Sequence, residues 1–385
     1  MQLDFHYYAT YCAAFLAGYS HEESLDICYS AALVDRCTKS FLSSVKAPIQ
    51  AATTQSQTEL LGVRTDVLGL QDITRIWASF HFLPKDLHAP VKSIFKNYKN
   101  KYRLICGPDG DLVVDTMKLA KDKGLQAAGV AMHVLADTWA HRNFAGTPSM
   151  VINNTDSYFF ELMPDGETRK IKFNHNHGTA DDIETGLYTN TVYSVGETTI
   201  MNLGHGRAGH LPDYSFIKYK YMPAWDNYRV CLKDNHSEYY KAFCQMIYAM
   251  KFLRGDIGSF EKETYDAESV APFEDRIDEI LRKRQPDSSA DWKAFGEELS
   301  GETIPDFDET KYLEEYKNAG KDDNDDTFLG RFILAALAQK SMVTHSIFKS
   351  GNMLAGFSIE YGKRGFKGLR DYRKLVDSKA GTKHG

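Results

Sequence analysis

Residues 129–146, GVAMHVLADTWAHRNFAG, constrain this chain more than any other stretch. They space His133, Asp137 and His141 four residues apart in an apolar background. A helix advances ~100° per residue, so positions i, i+4 and i+8 drift only ~40° per step and share one face. Val134, Leu135, Trp139 and Ala140 around them predict that this helix is buried. Two imidazoles and a carboxylate in a core are costly unless something satisfies them, and a metal ion does so well. A single histidine here would read as a hydrogen-bonded core residue. The ordered triple points to metal.

At 385 residues the chain is long enough to bury a sizeable core, and its net charge of −6 argues against a stable nucleic-acid coat. Its most apolar long run, residues 327–348, contains Arg331, Gln339, Lys340 and His345 and reads as a soluble helix, not a transmembrane segment. The opening MQLDFHYYAT lacks a basic n-region and a cleavage site. The six cysteines form no CxxC pair and sit mostly among apolar or aromatic neighbours. The expectation is a cytoplasmic protein with reduced core cysteines. Composition leaves the oligomeric state open.

Periodicity makes the first 145 residues mostly helical. Residues 3–19 are apolar nearly all round, and Ser20 with Glu23 makes a capping box for a helix running to about residue 40. Further helices are expected over 49–61, 71–82 (stopped by Pro84) and 112–144. After Pro148 the pattern changes. Residues 158–162 and 169–173 alternate like strands, and MPDGE over 163–167 is a strong turn, so a hairpin is expected. It lies in an insertion at about 149–197, which carries His175 and His177 and has the length of a lid. Residues 237–253 return to a buried aromatic helix. The remainder is acidic, cut by Pro272, Pro286 and Pro305, and ends in a basic tail over 362–385. The organisation expected is mainly α. A metal-binding helical catalytic domain spans 1–255 with its hairpin insertion, and an acidic helical extension over 256–385 packs on it.

Other polar residues stand out against apolar surroundings. Asp4 and His6 flank Phe5, Asp35 follows the apolar run 31–34, and His81 sits in WASFHFL. His205 and His210 bracket a glycine-rich segment that ends at Asp213. Buried carboxylates in this number require a shared counter-charge. Mixed imidazole and carboxylate donors favour a multinuclear site with Zn²⁺ as the default, other divalent metals being possible.

The order of these residues resembles the zinc-dependent phospholipase C and S1/P1 nuclease superfamily, which implies an all-helical, phospholipase C/P1 nuclease-like core with two or three zinc ions. His6 matches the early His, Asp35 the first Asp, and His81-Phe82 the His-Phe element. His133 and Asp137 match the His-xxx-Asp pair, His141 the following His, and Gly204-His205 the Gly-His. The resemblance implies that Asp137 bridges two metals and that metals activate the attacking water. The chain departs from the pattern in three places. His141 follows Asp137 by four residues, where the superfamily has a longer, proline-containing gap. Gly209 stands where the superfamily has Glu, so His210 or Asp213 must supply that ligand. Secreted members also use a processed N-terminal amine, for which Asp4 is the carboxylate substitute here. The DFHYYATYCAAFLAGY opening resembles an uncharacterised bacterial family of this length.

Rival chemistries lack their motifs: there is no His-Asp dipeptide, no HExxH and no GxxxxGK[ST]. The function expected is hydrolysis of a phosphate ester or phosphodiester, in a nucleotide, nucleic acid or lipid head group, by metal-activated water. Asp137 is the catalytic carboxylate and Arg207 a direct phosphate contact. The alternative is a non-catalytic zinc-stabilised interaction or effector protein, whose metal would be closed by protein ligands. The lack of an exposed amphipathic helix weighs against bulk-membrane phospholipid as substrate.

Overall fold

The computed structural model describes residues 1–61, 67–88, 104–175, 179–190, 202–320 and 323–352. At its centre the helix Leu125–Ala140 is buried from Gln126 onward. Helices His21–Leu33, Asp111–Ala120, Asn235–Arg254 and Phe328–Lys349 pack around it. Gly129 permits the closest of these approaches, since a Cβ there would lie 2.3 Å from the Ile27 carbonyl oxygen.

The chain enters this bundle through a π-helical turn, Asp4–Ala9, that continues as the α-helix Thr10–Leu16. The expected capping box is present: Glu23 N–H donates to Ser20 Oγ (3.2 Å), and Ser20 N–H donates to Glu23 Oε2 (2.9 Å). The helix it starts ends at Leu33, short of the expected residue 40. Thr38 then caps a separate helix, Lys39–Ser44. Likewise 49–61 is not one helix but a 3-10 turn, Ile49–Ala51, and a short helix, Gln57–Leu61. Polar runs rich in Thr and Gln offer the backbone competing partners and bury too little to hold one long helix.

The expected hairpin forms from β1 (Phe160–Leu162) and β2 (Thr168–Lys170), antiparallel with Phe160 opposite Lys170. The second predicted strand is split at Ile171, and β3 (Lys172–Asn174) pairs in parallel with β4 (Leu187–Thr189). Two further strands, β5 (Lys218–Tyr221) and β6 (Cys231–Asp234), complete a four-stranded antiparallel sheet in the order β2-β1-β5-β6. The inner face of this sheet closes a second core around Phe144, Phe159, Tyr219 and Tyr221, with Phe144 stacked on Tyr221 at 5.1 Å.

The C-terminal span joins the main core and forms none of its own. Trp292, Phe295, Ile304 and Phe332 belong to the cluster that includes the central helix. Trp292 meets Phe5 edge-on at 6.0 Å, so helix Ser289–Ser300 braces the π-turn. None of the six cysteines is paired, and no helix of the described residues is long and apolar enough to cross a membrane. His177 and the basic tail over 362–385 lie outside the described residues.

Candidate metal centre

Each group of candidate ligands sits where an element ends, which is how the fold gathers them. The central helix contributes His133 and Asp137, and His141 is its C-terminal capping residue. His6 lies in the π-turn, a form that bulges one residue out of the α register and recurs at functional sites. Asp35 follows helix His21–Leu33 instead of lying on its core face, and His81 follows helix Val67–Phe80. His205 opens the short helix His205–Ala208 behind Gly204, whose φ of 50° and proximity to Asn153 exclude a side chain. Asp213 ends the 3-10 turn Leu211–Asp213.

Three groups of side chains could hold ions: His6, His133 and Asp137; Asp35, His81 and His133; and His141, His205 and Asp213. Asp137 joins the first two. Its Oδ1 lies 3.1 Å from His6 Nε2, and its Oδ2 lies 3.1 Å from His81 Nδ1 and 3.2 Å from His133 Nε2. Asp35 repeats the pattern more loosely, with Oδ2 3.9 Å from His6 and Oδ1 3.8 Å from His81. In the third group Asp213 Oδ1 is 3.5 Å from His141 Nε2 and 3.4 Å from His205 Nε2. Four ligands at ~2.1 Å around a tetrahedral ion stand roughly 3.4 Å apart, so this spacing suits zinc-sized cations.

The ring nitrogens facing away from the centre fix the tautomers. His133 Nδ1 donates to the Ala31 carbonyl (2.9 Å), His81 Nε2 to that of Thr53 (3.0 Å), and His141 Nδ1 to that of His81 (2.6 Å). With one nitrogen held by a carbonyl, each ring turns its other nitrogen inward, the orientation a metal-ligating histidine adopts. The inward nitrogens of His133 and His81 are 3.3 Å apart and both face Asp137, an arrangement that a shared proton or a cation between them could satisfy.

One charge present is the α-ammonium of Met1. It is buried, 2.8 Å from Asp137 Oδ1, 3.2 Å from Asp213 Oδ1 and 3.5 Å from His141 Nε2. Burial opposes its charge, but Asp137, Asp213 and Asp35 outweigh that and push its pKa up to about 11. Burial would raise the Asp137 carboxyl too, yet His141, the ammonium, His133 and His6 hold it well below the usual range. Asp213 is held down in the same way by the ammonium and His205. Burial, with neighbouring His133 for His6, lowers both His6 and His141 to about 4. The protein itself thus supplies acceptors in excess.

Three predicted residues lie elsewhere. Asp4 accepts from the backbone N–H groups of Phe5 (2.8 Å) and Ser288 (3.3 Å), so it ties down the π-turn and does not reach the ligand groups. His210 stays at the rim, half exposed, with Nδ1 3.6 Å from Asp213 Oδ2 and taking a hydrogen bond from Gln2 (3.3 Å). Arg207 spends its guanidinium on Asn202 Oδ1 (2.9 Å) and the Thr155 carbonyl. It lines a cavity of about 120 Å³ with His175 and Asn190. The ammonium and the three carbonyls are the groups that reasoning from the sequence missed; a backbone carbonyl carries no residue-type signal. A family model described as a family of unknown function (DUF6765) matches residues 1–347, and the chain belongs to that family. No curated protein and no solved structure matches it.

Proposed function

We propose that this chain is a metal-dependent hydrolase of phosphate esters or phosphodiesters, holding about two or three divalent ions, with zinc favoured by the donor set. The observation that carries the reading is the set of outward hydrogen bonds from His81, His133 and His141, which leaves the other ring nitrogen of His81 and His133 facing Asp35 and Asp137 and that of His141 facing Asp213. When bound, the ions would supply positive charge to phosphoryl oxygens and lower the pKa of water.

The chain's own residues prepare that chemistry. Asp137 and Asp35 each offer separate oxygens to two ligand groups, so both carboxylates would help hold ions in either group. Phe82 stacks on His141 (4.7 Å) and Phe144 leans on His205 (6.0 Å), so apolar contacts fix both rings. Asp35 and His205 are the more exposed ligands, at 36% and 25%, and form the edge from which a phosphate-containing substrate would approach. Helix Ser289–Ser300 braces the π-turn bearing His6, giving the C-terminal span a supporting role.

A second reading, a metal-stabilised protein without catalysis, draws on the Met1 ammonium, which lies between Asp137 and Asp213 beside the third group. Elemental analysis together with hydrolysis of aryl phosphate mono- and diesters, nucleotides and phospholipid separates the two. The hydrolase reading expects at least two ions per chain and turnover that Asp137→Asn abolishes. Bound metal with no turnover on any of these substrates overturns it in favour of the second. No more than one ion per chain overturns the multinuclear centre itself.

A further inference from the structure

The sheet has two faces of opposite character. Across its inner face run Arg169, Glu161, Tyr219 and Lys233 in register, and of these Glu161, Tyr219 and Lys233 are fully buried. The next row points outward and reads Lys170, Phe160, Lys220, Leu232. Beyond this row the β1–β5 register slips by two residues, since the Asp156 N–H donates to the Met222 carbonyl (3.1 Å) and Thr155 bridges Pro223; Tyr158 lies between that bridge and β1, and Val230 precedes β6.

Large hydrophobic side chains stand exposed at five described positions, and four of them belong to this face or the turn at its end. Val230 is 65% exposed, Tyr158 52%, Leu232 49% and Tyr228 46%. The patch is contiguous and interleaved with cations, and Lys170 Nζ lies 5.1 Å from the Tyr158 ring centre. Lys170 and Lys220 make no ion pair among the described residues, in contrast to Lys218, which is paired with Asp234 at 2.7 Å. Exposed apolar surface of this kind marks an interaction site.

We propose that this outer sheet face binds the surface of an anionic lipid bilayer. Its chemistry selects that partner. Protruding aliphatic chains such as Val230 and Leu232 gain from entering an acyl boundary, and tyrosines favour the level of the head groups. Unpaired lysines beside them complement anionic phosphate, their stems lying along apolar surface while the ammonium stays wet. A base-stacking surface for single-stranded nucleic acid would use the Tyr158 and Tyr228 rings but gives no role to Val230 and Leu232, which are exposed as far as those rings. The proposal is independent of the metal centre, which lies behind the inner face.

The test is co-sedimentation of the full chain with phosphatidylcholine vesicles, with and without about one-third phosphatidylglycerol. The wild type should pellet with the anionic vesicles, less with the neutral ones, and progressively less as salt rises. Val230→Ser with Leu232→Ser should weaken that partition by about tenfold or more, because both side chains leave the apolar boundary. Lys170→Glu with Lys220→Glu should remove the preference for anionic lipid. The double variants change exposed positions, apart from the half-buried Lys220, and unshifted melting curves would show that they fold. No pelleting of the wild type, or equal pelleting of the Val230/Leu232 variant, overturns the proposal. Without vesicle binding, self-association lost in the Val230/Leu232 variant would assign the face to a second copy. Oligonucleotide binding lost in the lysine variant would assign it to nucleic acid.

Discussion

Two buried ionic clusters in this protein look alike in composition and differ in what they need. Behind the sheet, Glu161 is fully buried, yet Arg169 (2.6 Å), Arg284 (2.9 Å) and the Tyr188 hydroxyl (3.2 Å) all serve its carboxylate. Beside it Lys233, also fully buried, pairs with Glu238 and donates to the Trp139 carbonyl (3.0 Å). Charge there meets opposite charge, with each carboxylate paired to a cation, although Glu161 Oε1, Arg169 Nε and the Tyr219 hydroxyl make no hydrogen bond. At the end of the central helix the balance is reversed. Asp35, Asp137 and Asp213 face the inward ring nitrogens of His81, His133 and His141, and the Met1 ammonium is the one permanent cation paired with them among the described residues. Burial of charge therefore does not by itself mark a functional site. The balance of opposite charges does.

The sharpest way to break this comparison is Asp137→Asn, because that carboxylate serves two ligand groups and the ammonium at once. At least one ion per chain should be lost, with a fall in stability on the order of 5 kcal/mol, since metal binding is linked to folding. Elemental analysis and denaturant melts with and without chelator measure both. If the variant keeps every ion, Asp137 is not a shared ligand.

Glu161→Gln is the matched control in the charge-paired cluster. Removing that charge takes the shared anion from two part-exposed guanidinium groups, which keep the Ile183 carbonyl as acceptor, and should cost about 1–2 kcal/mol. Metal content should be unchanged, and a chelator should lower its melting temperature as much as it lowers that of the wild type, as expected for independent sites. A variant that sheds metal would show instead that the sheet cluster is coupled to the centre.

How far this contrast could be read from the sequence depends on which kind of group is involved. The spacing of His133, Asp137 and His141 predicted one buried face, and the helix has it. His6 and His81, isolated in aromatic runs, arrive at the same place. Strands β5 and β6 were not foreseen, although the alternation Lys218-Tyr-Lys-Tyr221 is a period-2 signal. The carbonyls of Ala31 and Thr53 had no such signal, because only tertiary packing brings them under rings 102 and 28 residues away. Asp4 misled for a related reason: its partner, the Ser288 amide, is 284 residues distant. Arg207 looked free for phosphate until Thr155 and Asn202 were seen to hold it.

Within the centre, the third group shares no residue with the other two, and His205→Ala tests whether it holds its own ion. His205 meets Asp213 but not Asp137. Its loss should remove one ion per chain and about 2 kcal/mol of stability, leaving the metal at Asp137 in place. Loss of all metal would mean that the three groups act as one cooperative site.

The smallest effect is expected from the residue next to that group. His210 is close to Asp213, and the sequence makes it as good a ligand as His205. The two differ in exposure and partners. His205 Nε2 points at Asp213 Oδ1, the oxygen that also faces His141, with the His205 ring edge-on to His141 at 4.6 Å. His210 is 48% exposed, faces the other oxygen at 3.6 Å and already accepts from Gln2. His210→Ala should therefore keep the full metal complement and change stability by less than about 0.5 kcal/mol, the range of an ordinary surface substitution. Elemental analysis of the His205→Ala and His210→Ala variants side by side decides the matter. Equal loss of metal would place both histidines on the ion and move the boundary of the centre out to the rim.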